Sequence, residues 1–214
     1  MDELSQYVAR QLSGCFPDRS IAAHSIAAHV AAAMERVEYC FSRVVIKGFA
    51  PGGDPSFNHL HTDQYAMFLY LLSNSVFRTG GDPSLAAKAY GLNKALHGID
   101  AFYEVELPPV FFFQHPVGTV LGRAVYGNYF AVYQRCSIGS NLDGEAPVLG
   151  DGLVMFGGSG IIGRCRTGNN VCLSVDAIVM DADIPADSVV FGRPPAIVRR
   201  PSRRRVTERF FRVS

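Results

Sequence analysis

Hydrophobic positions in the first half of the chain recur at three- and four-residue steps. Ile21, Ala22, Ile26, Val30, Ala33, Met34 and Val37 keep the spacing of one helix face. This predicts a helix from Ser20 to about Val45, broken by Gly48 and by Ala50-Pro51-Gly52-Gly53-Asp54-Pro55. A second helix is predicted to start at Thr62 or Asp63, where a capping side chain is available, and to run through Leu72. Thr79-Gly80-Gly81-Asp82-Pro83 ends it. Asp82 then caps a third helix, from Ser84 to about His97, with Pro83 in its first turn. A fourth short segment, Ile99–Val105, stops at Pro108-Pro109.

The second half changes period. Leu149, Met155, Ile161, Thr167, Leu173 and Val179 are each six residues apart, with Gly150, Gly163, Gly168 and Ser174 at turn-like positions between them. Six is neither a helical period nor a simple strand alternation. It is the hexapeptide repeat of a β-helix, in which six residues build one face and eighteen build one triangular coil. The aliphatic residue points inward, and small residues take the tight corners. Val120-Leu121-Gly122, Val132-Tyr133-Gln134 and Cys136-Ser137-Ile138-Gly139 read as earlier coils. Ser140–Ala146 breaks the beat and is expected to be a loop extruded from one corner, where such scaffolds place function.

Composition adds three points. The chain has 21 Gly in 214 residues, and they belong mainly to the six-residue repeat. The net charge of +1 hides an asymmetry: from Arg193 onward there are eight Arg and one acid, Glu208, so this segment is +7 and the remainder −6. A basic segment on an acidic body suggests an anionic ligand. The five cysteines are odd in number and form no CxxC pair, and MDELSQYVAR has no apolar signal-peptide core, so a reduced, cytoplasmic setting is expected. The most apolar run, Ile21–Met34, is too short for a membrane span.

With these motifs, the chain resembles the left-handed β-helix acyltransferases, and within them the serine acetyltransferase branch. The stretches that carry the likeness are His115-Pro116 with Val120-Leu121-Gly122, then Val132–Gly139, Pro147–Gly152, Gly157–Gly163, Ile184–Val190 and Gly192–Val198. The resemblance implies an α+β chain: an α-helical N-terminal domain (1–108), a left-handed parallel β-helix (109–198) and a basic C-terminal tail (199–214). It implies a homotrimer or a dimer of trimers, and an acetyl-CoA donor lying between adjacent coils. Gly157, Gly158, Ser159, Ser174 and Val175 would line the donor groove, where close backbone approach needs small residues, and Arg193, Arg199 and Arg200 would lie near the CoA phosphates. A purely corner-turning role for the small residues, and a solvated tail for the arginines, stand as alternatives.

The branch uses histidine as general base toward the acceptor hydroxyl. At the two places where it carries these residues, this chain has Ala146-Pro147 and Tyr126-Gly127-Asn128-Tyr129. Another base is therefore required. His115, the one histidine of the coil half, is the first candidate, and His61 with Asp63 the second, a carboxylate orienting an imidazole. Asp63 acting only as a helix cap is the structural alternative. Asn128, Tyr129, Asp143 and Glu145 are candidates for holding the acceptor. His24 and His29 read as structural, and His97 is expected to meet helix-terminal carbonyls. A single coil histidine argues against a metal site of the kind found in γ-type carbonic anhydrases.

The expected activity is O-acetyl transfer from acetyl-CoA to serine or a serine-like hydroxyl, with backbone amides of a coil corner stabilising the oxyanion. Alternatives are a sugar O- or N-acetyltransferase of a surface-polysaccharide pathway and a non-catalytic trimeric binding or scaffold protein. The partner expected is a small-molecule acceptor rather than nucleic acid or membrane.

Overall fold

The computed structural model describes the backbone of residues 2–213 and the side chains of residues 3–213. Four long helices come first: α1 (Asp2–Cys15), α2 (Ala23–Phe41), α3 (Thr62–Arg78) and α4 (Pro83–His97). Helix α3 is their centre and is buried along nearly its whole length, from Asp63 to Val76. The sequence reading missed α1, although Ser5, Val8, Ala9 and Leu12 form its buried stripe. Helix α2 is shorter than predicted at both ends. Ile21 N–H is drawn away to Ser13 Oγ (2.9 Å), and Val44 leaves the helix to bridge to Phe211. Asp82 caps α4 as expected, accepting from Ser84 N–H at 2.8 Å. His97 Nδ1 meets the side chain of Asn93 at 2.8 Å, and the Asn93 backbone close to the end of α4 also accepts from the ring, as expected.

The fourth segment is not helical. Asp100–Ala101 forms strand β1, because Asp100 and Ala101 pair with Val120 and Leu121 of the next strand. From there the chain winds into a parallel β-solenoid of about five turns, as the period of six required. One face carries β1, β3 (Val120–Leu121), β5 (Ser137–Gly139), β7 (Gly160–Ile162) and β9 (Ile178–Met180). The second carries β2 (Phe111–Phe113), β4 (Phe130–Val132), β6 (Leu153–Met155), β8 (Val171–Leu173) and β10 (Ser188–Phe191). The third is held by single bridges through Val125, Val148, Arg166, Thr167 and Ile184.

Register explains the repeat. Ile161 pairs with Val179 and Met155 with Leu173, each one eighteen-residue coil later. Leu149, Met155, Ile161, Thr167, Leu173 and Val179 are all buried in the prism. The Val132–Met155 pairing is five residues longer, and the surplus is the extruded loop. Asn141 organises that loop: its Oδ1 accepts from the N–H groups of Asp143 and Glu145, and its Nδ2 donates to Glu145 and Asp181. One corner column must be small. A Cβ on Gly150 would lie 2.6 Å from Gly168 O, and one on Gly168 would lie 2.4 Å from Ala186 N.

The basic C-terminal segment folds back on the body. Strand β11 (Val198–Pro201) runs antiparallel to β10, and the short helix α5 (Val206–Phe210) then crosses the outer side of the second face. Arg212 N–H donates to Arg43 O (2.7 Å), and Val45 N–H donates to Phe210 O (3.0 Å), so the arm is tied to the segment that follows α2. Among the described residues no helix is long and apolar enough to cross a membrane.

Ile161 is fully buried at the centre of the coil stack. Ile161→Ala is expected to destabilise the fold by about 2–5 kcal/mol, because a rigid solenoid cannot collapse around the cavity. A urea unfolding curve measures this, and a midpoint equal to wild type would contradict the stacked core.

Candidate active site

Each coil has three edges, and they sort the candidate residues. The edge joining the second face to the first carries His115, Gly157, Gly158, Ser159, Ser174, Val175 and Arg193. The edge leaving the first face carries Asp143 and Glu145, and the edge entering the second face carries Asn128 and Tyr129.

On the first of these edges the residues fall into register. Phe113, Val132, Met155 and Leu173 pair in succession, so the residues two positions on, His115, Gln134, Gly157 and Val175, form one column. Rungs are about 4.8 Å apart. Gln134 therefore lies one rung from His115 and Gly157 two. Among the described residues the backbone N–H groups of Gln134, Gly157 and Val175 donate no hydrogen bond. The side-chain Oε1 of Gln134 is buried and has no partner. A Cβ on Gly157 would come within 2.7 Å of the Gln134 amide, so glycine leaves that amide room. Ser159 is different: the whole residue is buried, its hydroxyl 3.6 Å from the Cys136 sulfur, its N–H donating to Phe156 O and its carbonyl accepting from Ser137 N–H, so it presents nothing to the groove. Arg193 stays at this edge, its Nε donating to Asp176 O at 3.0 Å. Arg199 instead reaches Asp183 O at the neighbouring edge.

At the top of the column, His115 meets the helical part. Asp63, in the first turn of α3, is almost fully buried, and its Oδ2 lies 3.6 Å from His115 Nδ1. Gln114 Nε2 donates to the same oxygen at 3.3 Å and sits 3.1 Å from His115 Nε2. The two ring nitrogens of His115 thus face different groups, Nδ1 toward Asp63 and Nε2 toward the Gln114 amide. The imidazole itself is open to solvent, its side chain 73% exposed. Asp63 is also felt on its other side: burial holds the His97 imidazole below its ordinary range, and the Asp63 charge opposes that shift. A carboxylate this deeply buried needs a cationic or hydrogen-bonding partner.

His61 does not join this group. It occupies the N-cap position of α3 without a capping bond, and its ring packs against Phe49. Its buried Nδ1 has no partner. Asn128 and Tyr129 are occupied by the fold: Asn128 Oδ1 accepts from Val110 N–H, and the Tyr129 ring packs on Phe211. Glu145 is tied to Asn141, while Asp143 is exposed on the loop. The sequence reading passed over Gln114 and Gln134. The only signal for them was adjacency, Gln114 beside His115 and Gln134 inside a coil motif.

No family model matches the chain. Over 117 residues it is 26% identical to a serine acetyltransferase of Staphylococcus epidermidis, covering 53% of this chain and 54% of that protein. It thus spans about half the length of that curated relative. The solved serine acetyltransferase of Neisseria gonorrhoeae matches 95% of this chain and 80% of its own, with a TM-score of 0.75 and 21% identity. A serine acetyltransferase solved in complex with CoA matches 91% of this chain and 83% of its own, with a TM-score of 0.69 and 17% identity. At these identities the likeness defines the fold: N-terminal helices followed by a parallel β-solenoid.

Cys40, Cys136, Cys165 and Cys172 offer no ready thiolate nucleophile. Burial pushes the Cys40 thiol up to about 12, and burial likewise raises those of Cys136, Cys165 and Cys172. Cys15 is exposed. A disulfide-exchange reagent at neutral pH is expected to modify Cys15 first and leave Cys40 unmodified until the protein unfolds, which mass spectrometry of the labelled peptides checks. Early labelling of Cys40 would contradict its burial.

Proposed function

We propose that the chain is a CoA-dependent acyltransferase that moves an acetyl group from acetyl-CoA to a small hydroxyl acceptor, serine or a serine-like molecule. The observation that carries this reading is the buried Asp63 beside His115, at the head of the column Gln134–Gly157–Val175. The names of the relatives, serine acetyltransferases, and the CoA bound in one of them support the same reading.

The residues divide the work as follows. Asp63 fixes the imidazole with its proton on Nδ1, leaving the lone pair on Nε2. An acceptor hydroxyl displaces the Gln114 amide from Nε2 and gives its proton there. The imidazolium so formed is stabilised by the Asp63 carboxylate, which does not itself take the proton. Gly157, with its unpaired N–H and no side chain, gives an extended ligand close backbone approach. Gln134 Oε1 supplies an acceptor inside the same column. The acceptor oxygen attacks the thioester carbon of acetyl-CoA, the C–S bond breaks, and the CoA sulfur leaves with the proton returned from the His115 imidazolium.

The acceptor-side candidates Asp143 and Glu145 lie on another edge of the same chain, so a second copy is needed to bring them to His115. Leu142, at the loop tip, is fully exposed and is a natural contact for such a copy. The proposed assembly is a homotrimer, to be measured by light scattering.

A specific observation favours a second reading. The two places where the branch carries histidine are Ala146-Pro147 and Tyr126–Tyr129 here, which fits a binding protein without turnover. A thiol-release assay with acetyl-CoA, serine and a panel of sugars separates the two. Turnover with serine, and a fall of 10²-fold or more in kcat for His115→Ala, is the expected result. CoA binding without thiol release from any acceptor would leave only the binding reading. Asp63→Asn is expected to lower kcat with little change in KM, because it disturbs the tautomer and not the contacts of the substrate. A pure KM effect would remove Asp63 from its orienting role.

A further inference from the structure

The eight arginines from Arg193 onward do not behave alike. Arg193 pairs with Asp176, Arg199 donates to Asp183 O, Arg200 lies over the Phe191 ring, and Arg212 donates to Ser42 O and Gly53 O. The other four are Arg203, Arg204, Arg205 and Arg209. Among the described residues none of these four guanidiniums has a carboxylate or carbonyl partner; Arg209 has only the Phe210 ring. Yet all four residues line one cavity of about 220 Å³ between the arm and the outer side of the second face, with Phe156 and Cys172 also in its lining. Glu208, the one acid of the segment, is not among its lining residues.

Chance does not hold these cations together; the arm is fixed by its own bonds. Ser202 N–H donates to Asp187 O (2.7 Å), Ser202 Oγ to Arg204 O (2.7 Å), and Val206 N–H to Asn170 Oδ1 (2.8 Å). Val206 and Phe210 are buried behind them. The four residues are exposed and border the same cavity with no acid in its lining, so their charge is available to an anion bound there. The cavity is smaller than the roughly 300–1,000 Å³ of a site for a whole small molecule. It therefore takes a compact, multiply charged group, and guanidinium forks match phosphate oxygens.

We propose that the pocket formed by Arg203, Arg204, Arg205 and Arg209 binds a phosphate or pyrophosphate group of a small ligand. The site does not rest on the acetyl-transfer reading. Its source is either the phosphates of a CoA-type donor, since Phe156 of the pocket lining directly precedes Gly157 of the column, or a separate phosphorylated molecule.

Inorganic pyrophosphate titrated calorimetrically into the full chain tests this. Saturable binding of one pyrophosphate per chain, weakening as salt rises, is expected. Arg204→Gln/Arg209→Gln and, separately, Arg203→Gln/Arg205→Gln are expected to weaken it at least tenfold, with Arg10→Gln on α1 as the unaffected control. The two pairs guard against one variant failing to fold, which thermal melting reports. Competition by acetyl-CoA supports the donor as the source. Pyrophosphate binding that acetyl-CoA does not displace supports a separate phosphorylated ligand, even if the acetyl-transfer reading fails. Absence of saturable binding to the wild-type chain, or wild-type affinity in both folded double variants, overturns the site.

Discussion

The burial of β2 determines where everything else sits. Phe111, Phe112 and Phe113 are all fully buried, and alternation sends them to opposite sides. Phe111 and Phe113 enter the open end of the prism, where Tyr70 of α3 meets Phe111 edge-on. Phe112 points outward and is covered by Phe49, Phe210 and Phe211. One strand thus joins the helices, the solenoid and the C-terminal arm. Cys40 fastens it further, its thiol donating to Phe111 O at 2.9 Å. A strand held on both sides has no freedom to slip, because a one-residue shift would exchange its two faces.

That constraint reaches the chemistry directly. Gln114 and His115 follow β2 in the chain, and Asp63 opens the helix that packs on it. Fixing the strand fixes the imidazole against the carboxylate. The rest of the column follows from the solenoid itself, since each coil repeats the same edge one rung further along. On the other two edges Asn128, Asn141 and their partners knit successive coils together, and Asp143 stays exposed on the extruded loop. Among the described residues, the His115 edge combines an accessible ring, amides without a hydrogen-bond partner and an unpaired buried acceptor.

Much of this was legible in the sequence because periodicity is a local record of geometry. The six-step run from Leu149 to Val179 announced the solenoid and its inward residues, and the break at Ser140–Ala146 announced the loop. Helix α4 could be read from Asp82 and Pro83 alone. Interactions between distant segments left no such record. Nothing local told that Val44 leaves α2 for Phe211, or that Asp100–Ala101 pairs with Val120–Leu121. The site shows the same division. His115 and Asp63 stood out by residue type, but they were read as separate candidates, because 51 residues and a domain contact separate Asp63 from Gln114. His61 was grouped with Asp63 by adjacency, and helical geometry parts them. The +7 segment was visible as charge, whereas its division into paired and unpaired arginines required the folded arm.

The most direct test of the account is a crystal structure of the chain with CoA bound. The expected result is the thiol end of CoA beside the Gln134–Gly157 column, with its sulfur facing His115 Nε2 and the His115–Asp63 pair retained. CoA bound at another edge, or His115 turned away from both Asp63 and the sulfur, would contradict it.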